Sequence, residues 1–258
     1  CPADCDDAVV VFNLGAAGYG TTLYGTRHYQ LKVSADGLIF TGATPPAGPR
    51  RLPDTAVADS GTLLAGLWQD LDLSHNGRWH AAILSGYLDG HDVFYAQWQA
   101  APQAANPDVV GSFAIAVVVE KVQPDESGSP VPSSPNGRLF YIYGPISQPD
   151  ALAAGGYAIG VQAGDGLRGG SYAYAGPDAS MGAPPVSGTT LMWTPHLYGA
   201  AFQRHFHYRA RVTGEVPSLI ATTAETVWPG NRRAWATHYL AVRHLSYLPV
   251  IAKPGEAQ

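Results

Sequence analysis

The residues best placed to do chemistry lie in DLDLSHNG, residues 70–77, where Asp70, Asp72, Ser74 and Asn76 carry oxygen donors at alternate positions ahead of a turn glycine. Calcium gathers about six to eight such oxygens. An EF-hand loop needs a glycine at its sixth position and a bidentate Glu at its twelfth. His75 and Ala81 stand there, so the loop is not an EF-hand. A looser calcium site, completed by Asp89, Asp92 or backbone carbonyls, is the chemistry this spacing offers. A polar turn whose Asp and Asn side chains bond nearby amides explains the same pattern and is the simpler reading. No other cofactor is called for.

Histidines form a second candidate. In QRHFHYR, His205 and His207 sit two apart on an expected strand and therefore share a face, as a metal pair would, with His196, His238 and His244 as sources of a third ligand. No acidic neighbour is adjacent to orient either ring, and a plain surface pair satisfies the pattern too. Cys1 and Cys5 are the only cysteines. They fit a local disulfide in an exported protein or a lipid-modified Cys1. A metal or redox pair is the weakest option, because C-x3-C has no second pair.

Covalent catalysis has no sequence support: no G-x-S-x-G elbow is present. Two acids acting on a glycosidic bond need no signature, and Asp70, Asp72, Asp89, Asp92 and Glu120 are available, but nothing singles out a pair. GAAGYG at 15–20 and GDG at 164–166 lack a strand–loop–helix context and read as turns.

The elements that must position these residues are strands. Short β-prone runs are separated by Gly, Pro, Asn and Asp clusters along 258 residues containing 30 Gly and 21 Pro. The runs expected as strands are 8–14, 29–33, 37–41, 63–67, 81–87, 92–99, 111–120, 138–143, 158–162, 171–174, 189–193, 206–213, 218–223 and 238–251. In DVFYAQWQ, Val93, Tyr95 and Gln97 alternate with Phe94, Ala96 and Trp98, which predicts one core face and one surface face. The fold class is all-β: an antiparallel β-sandwich over 29–174, preceded by an N-terminal strand segment, 1–28, and followed by a smaller C-terminal β block, 175–258. The Pro- and Ser-rich stretch 122–137 reads as a long loop between two strong strands. Trp68, Trp79 and Trp98 fall in the expected core, whereas Trp193, Trp228 and Trp235 are candidates for an exposed platform or a subunit contact.

Only 14% of the residues are charged, against about 25% in ordinary soluble domains, and the net charge is -5. With no basic stripe, nucleic acid is not an expected partner. No apolar run approaches the roughly 18 residues of a membrane-spanning helix. The expected setting is the cell surface or extracellular space, with the export signal absent from this chain.

The order of VSADGLIFTG, LLAGLWQDLD, DVFYAQWQ, FAIAVVVE, RLFYIYGPI and YAIGVQAGDG, from Tyr29 to Tyr174, resembles the nidogen-like extracellular domain. Ala35-Asp36 replaces that family's usual turn pair, and PDESGSPVPSSP is inserted between the two longest strands. The resemblance implies an extracellular β-sandwich of matrix or surface proteins with no enzymatic activity.

Three functional expectations follow, in this order. The first is a structural subunit of a surface filament, sheath or layer. Its terminal runs, Val9, Val10, Val11 and Phe12 at one end and Tyr247, Leu248, Val250 and Ile251 at the other, would pair with further copies of the chain or with other surface proteins. The second is a calcium-dependent adhesive module that binds glycans. The third is a hydrolase whose acids carry no signature.

Overall fold

Strands that alternate apolar and polar residues need a second layer to cover their apolar faces, and the computed structural model supplies it. It describes residues 6–46, 48–74, 77–88, 90–122, 137–177 and 179–195, together with the backbone of three later strands. In chain order β1 (Val9–Asn13), β2 (Tyr19–Leu23), β3 (Thr26–His28), β4 (Gln30–Ser34), β5 (Leu38–Phe40) and β6 (Leu63–Trp68) come first. Three long strands follow, β7 (Arg78–Leu88), β8 (His91–Gln103) and β9 (Asn106–Val118). Next are β10 (Glu120–Lys121), β11 (Leu139–Ile146), the one-turn helix α1 (Pro149–Ala154), β12 (Tyr157–Gln162), β13 (Gly169–Ala175), β14 (Ser180–Met181) and β15 (Thr190–Trp193). The last are β16 (Phe206–Tyr208), β17 (Ser218–Trp228) and β18 (Arg232–Val242).

The fold is the expected all-β sandwich. A seven-stranded sheet, β1-β4-β5-β6-β12-β13-β14, faces a six-stranded one, β16-β15-β11-β9-β8-β7, and all pairings are antiparallel. A small sheet, β10-β2-β3, closes one end, where the Thr21 hydroxyl donates to the Val118 carbonyl at 2.8 Å. β17 and β18 pair over their whole lengths as a hairpin.

The core between the sheets takes alternate residues from each strand: Leu31 and Val33, Ile159 and Val161, Phe94 and Trp98, Phe113 and Ile115, Tyr141 and Tyr143. Two tyrosines also tie the layers by polar contacts. The Tyr141 hydroxyl donates to the Gly160 carbonyl at 2.8 Å and the Tyr143 hydroxyl to Gly66 at 2.6 Å. Buried phenols need such partners, and each bond contributes about 1 kcal/mol net. Gly66 is required because a Cβ there would lie 2.7 Å from Ile115.

Both sheets are apolar on their outer faces as well. On the first, Leu52 and Val57 from the β5–β6 connection cover Phe40, Leu63 and Trp68. The connection is held by Ser171, whose hydroxyl both accepts from the Leu52 amide and donates to its carbonyl at 2.8 Å. On the second, Val93, Ala116, Val118 and Phe140 are buried together with Tyr95 and Ile142 packed beside them. This corrects the expectation for DVFYAQWQ: Phe94, Ala96 and Trp98 do face the core, but Val93 on the opposite face is buried too.

Hydrogen bonding also runs across the expected divisions at 28/29 and 174/175. β1 pairs β4, β14 pairs β13 and β15 pairs β11. Strands from both sides of these divisions therefore contribute to one sandwich.

Candidate functional site

The expected calcium loop leaves β6 and is stitched to the β8–β9 turn. Leu71 bridges Gln103, the Asp72 amide donates to the Pro102 carbonyl at 3.0 Å, and the Ala104 amide donates to the Asp70 carbonyl at 3.0 Å. Leu71 and Leu73 are buried, so Asp70, Asp72 and Ser74 alternate on the outward side. Asp72 Oδ1 accepts from both the amide, at 2.9 Å, and the hydroxyl of Ser74, an Asx turn of the kind a polar loop makes. Asn76 and Asp89 lie outside the described residues. Among the described residues, no three His, Cys, Asp or Glu side chains are grouped to hold a metal ion.

Behind this loop is a carboxyl that sequence reasoning passed over. Asp36, in the β4–β5 turn, meets two segments. Its Oδ1 accepts from the Leu71 amide at 3.4 Å and its backbone carbonyl from the Gln69 amide at 3.3 Å. Ser34 Oγ donates to its Oδ2 at 3.3 Å and accepts from its own amide at 3.1 Å. Burial raises this carboxyl from its usual 3.8 to about 7. Asp7 and Asp70 add to the rise, while the Leu71 and Ser34 bonds oppose it. The turn itself depends on Gly37, whose φ is 78° and where a Cβ would stand 2.2 Å from the Leu67 carbonyl oxygen.

The other acids considered for hydrolysis are held separately. Asp92 accepts from the Gly86 amide and from the Tyr19 hydroxyl, both at 2.9 Å, and these bonds hold its carboxyl below the ordinary range. Glu120 pairs Gly20 in the small sheet. Asp7 and Asp70 act on Asp36 through their charge, but among the described residues the three are not grouped as a metal site would be.

His207 lies on β16 opposite Leu191 and His238 on β18 opposite Thr222. His196, His205 and His244 lie outside the described residues, as do Cys1 and Cys5 and the C-terminal run Tyr247, Leu248, Val250 and Ile251. Trp68 and Trp98 are buried as expected. Trp193 is not an exposed platform: it is 4% exposed in the core, with its ring 5.9 Å from Tyr141, because β15 pairs the central strand β11.

The N-terminal assembly run is β1, and it closes one end of the seven-stranded sheet among the described strands. One side of it pairs β4, from Val9↔Ser34 to Asn13↔Gln30. Phe12 turns inward against Phe94 (5.2 Å between rings) and Trp79 (6.3 Å), which fixes the strand to the core. Val10 and Val11 remain 39% and 50% exposed. Trp79 belongs to β7, the end strand of the facing sheet among the described strands, so the end strands of both sheets lie along one flank.

No protein-family description, no curated protein and no solved structure matches this chain. Among the described residues, no helix is long and apolar enough to cross a membrane.

Proposed function

We infer that this chain is an extracellular, non-enzymatic structural protein whose copies join by β-strand pairing into a surface filament, sheath or layer. The observation that carries this proposal is β1, an apolar strand at the edge of a large sheet with Val10 and Val11 exposed. An edge of this kind is a template for another strand, because main-chain hydrogen bonds form there without demanding side-chain specificity. The low charge of the chain favours close packing between copies, and the nidogen-like order of motifs agrees with a place among surface and matrix proteins.

Electron microscopy and light scattering of the concentrated protein test the proposal. Assemblies that grow with concentration support it. Single 27.2 kDa particles at every concentration overturn it.

A further inference from the structure

Among the described strands β1 is paired on one side only, and its other side has a symmetry of its own. The Ala35 amide donates to the Ala8 carbonyl at 2.8 Å, so Ala8 directs its backbone groups toward β4. Strand alternation then sends those of Val10 and Phe12 the same way and turns those of Val9, Val11 and Asn13 outward. These three residues are evenly disposed about Val11, the midpoint of β1.

We propose that two copies of the chain join edge to edge along β1, antiparallel, about a two-fold axis at Val11, so that the seven-stranded sheets of the two copies become one continuous sheet. This rests on the strand-pairing function above and names its partner and geometry. Val11 pairs with Val11 of the second copy and Val9 with its Asn13, each pair exchanging two backbone hydrogen bonds. The most exposed apolar side chains of the strand then cover one another: Val11 against Val11 on the outer face, and Val10 against the second copy's Phe12 on the inner face.

Charge selects this direction. Asp7 lies two residues before β1. In a parallel, in-register joint it would stand roughly 5 Å from its counterpart, where like charges repel. In the antiparallel joint the two acidic ends are roughly 25 Å apart, beyond the Debye length of about 8 Å at physiological salt. Such a contact is isologous and closes at two copies. Larger assemblies are then built from dimers through a different surface.

Single cysteines in the full chain, with Cys1 and Cys5 replaced by serine, test the joint by oxidative cross-linking. Facing residues of a hydrogen-bonded antiparallel pair have Cα atoms about 5.5 Å apart, within disulfide range. Val11→Cys is expected to cross-link to itself, and a mixture of Val9→Cys and Asn13→Cys to give the mixed dimer, while Val9→Cys alone does not. Val11→Pro removes only an outward amide, leaving the β4 pairing intact, and is expected to weaken the dimer about tenfold or more. Self-linking of Val9→Cys with no mixed dimer would overturn the two-fold geometry while leaving strand pairing standing. A dimer that no β1 cysteine links and that Val11→Pro does not weaken would overturn the β1 joint. A monomer at every concentration would overturn both the joint and the function on which it rests.

Discussion

The two edges on the Phe12–Trp79 flank have been treated differently by the sequence. β7 is long, yet its ladder to β8 is interrupted between Leu84 and Leu88, Gly86 there has a φ of 62°, and Arg78 and His80 are exposed along it. Bulges and charged side chains are the devices by which proteins keep an edge from accepting a foreign strand. β1 is shorter, runs in unbroken register with β4 and carries Val9-Val10-Val11 with no charge inside the strand. An edge that could be guarded with one substitution and is not guarded is where pairing between copies is to be sought.

The change that damages both edges most is Trp98→Ala. Trp98 stacks on Phe113 at 4.8 Å, lies opposite Trp79 of β7, and donates to the Ser34 carbonyl of β4 at 3.2 Å, so it underlies both edges. A loss of about 3–5 kcal/mol is expected in denaturant melts. Gly37→Ala comes next. It forces a Cβ against the Leu67 carbonyl in a left-handed turn and should cost about 1–3 kcal/mol, loosening the hairpin that carries β1 but not the β7–β8 pair. Hydrogen exchange resolved by strand separates the two.

Asp36→Asn acts through pH. The folded carboxyl ionises near 7 and the unfolded one near 3.8, so its favourable contribution is complete below the unfolded value and is lost as pH rises through the folded one. Wild-type melting temperature should therefore carry a decline between pH of about 4 and about 7 that Asp36→Asn lacks. Identical pH profiles for the two proteins would contradict this role. The smallest expected effect on stability is that of Val11→Lys, within about 0.5 kcal/mol, because the side chain is exposed.

Much of the sandwich is legible in the sequence because alternation is a local signal. The runs expected at 63–67, 92–99, 111–120 and 138–143 all become strands, with boundaries displaced by a few residues where pairing, not composition, sets the end. β2 and β3 escaped notice because YGTTL and TRH are poor in aliphatic residues and gain strand geometry from pairing with each other and with β10. Trp193 is buried because its strand joins β11, a partner about fifty residues away that no local pattern announces. Asp36 was equally hidden: a turn aspartate reads as solvent-exposed, and only folding buries it against the Gln69–Leu71 segment. β1, by contrast, was visible as VVVF, since both its apolar composition and its position before the first turn are local.

The most direct measurement of strand pairing between copies is the solution mass as a function of concentration for three proteins: wild type, Val11→Lys on the open edge and Ala82→Lys on the guarded one. The expected result is a dimer of wild type and of Ala82→Lys at concentrations where Val11→Lys remains at the mass of a single chain. Equal association of all three, or none in wild type, would contradict assembly through β1.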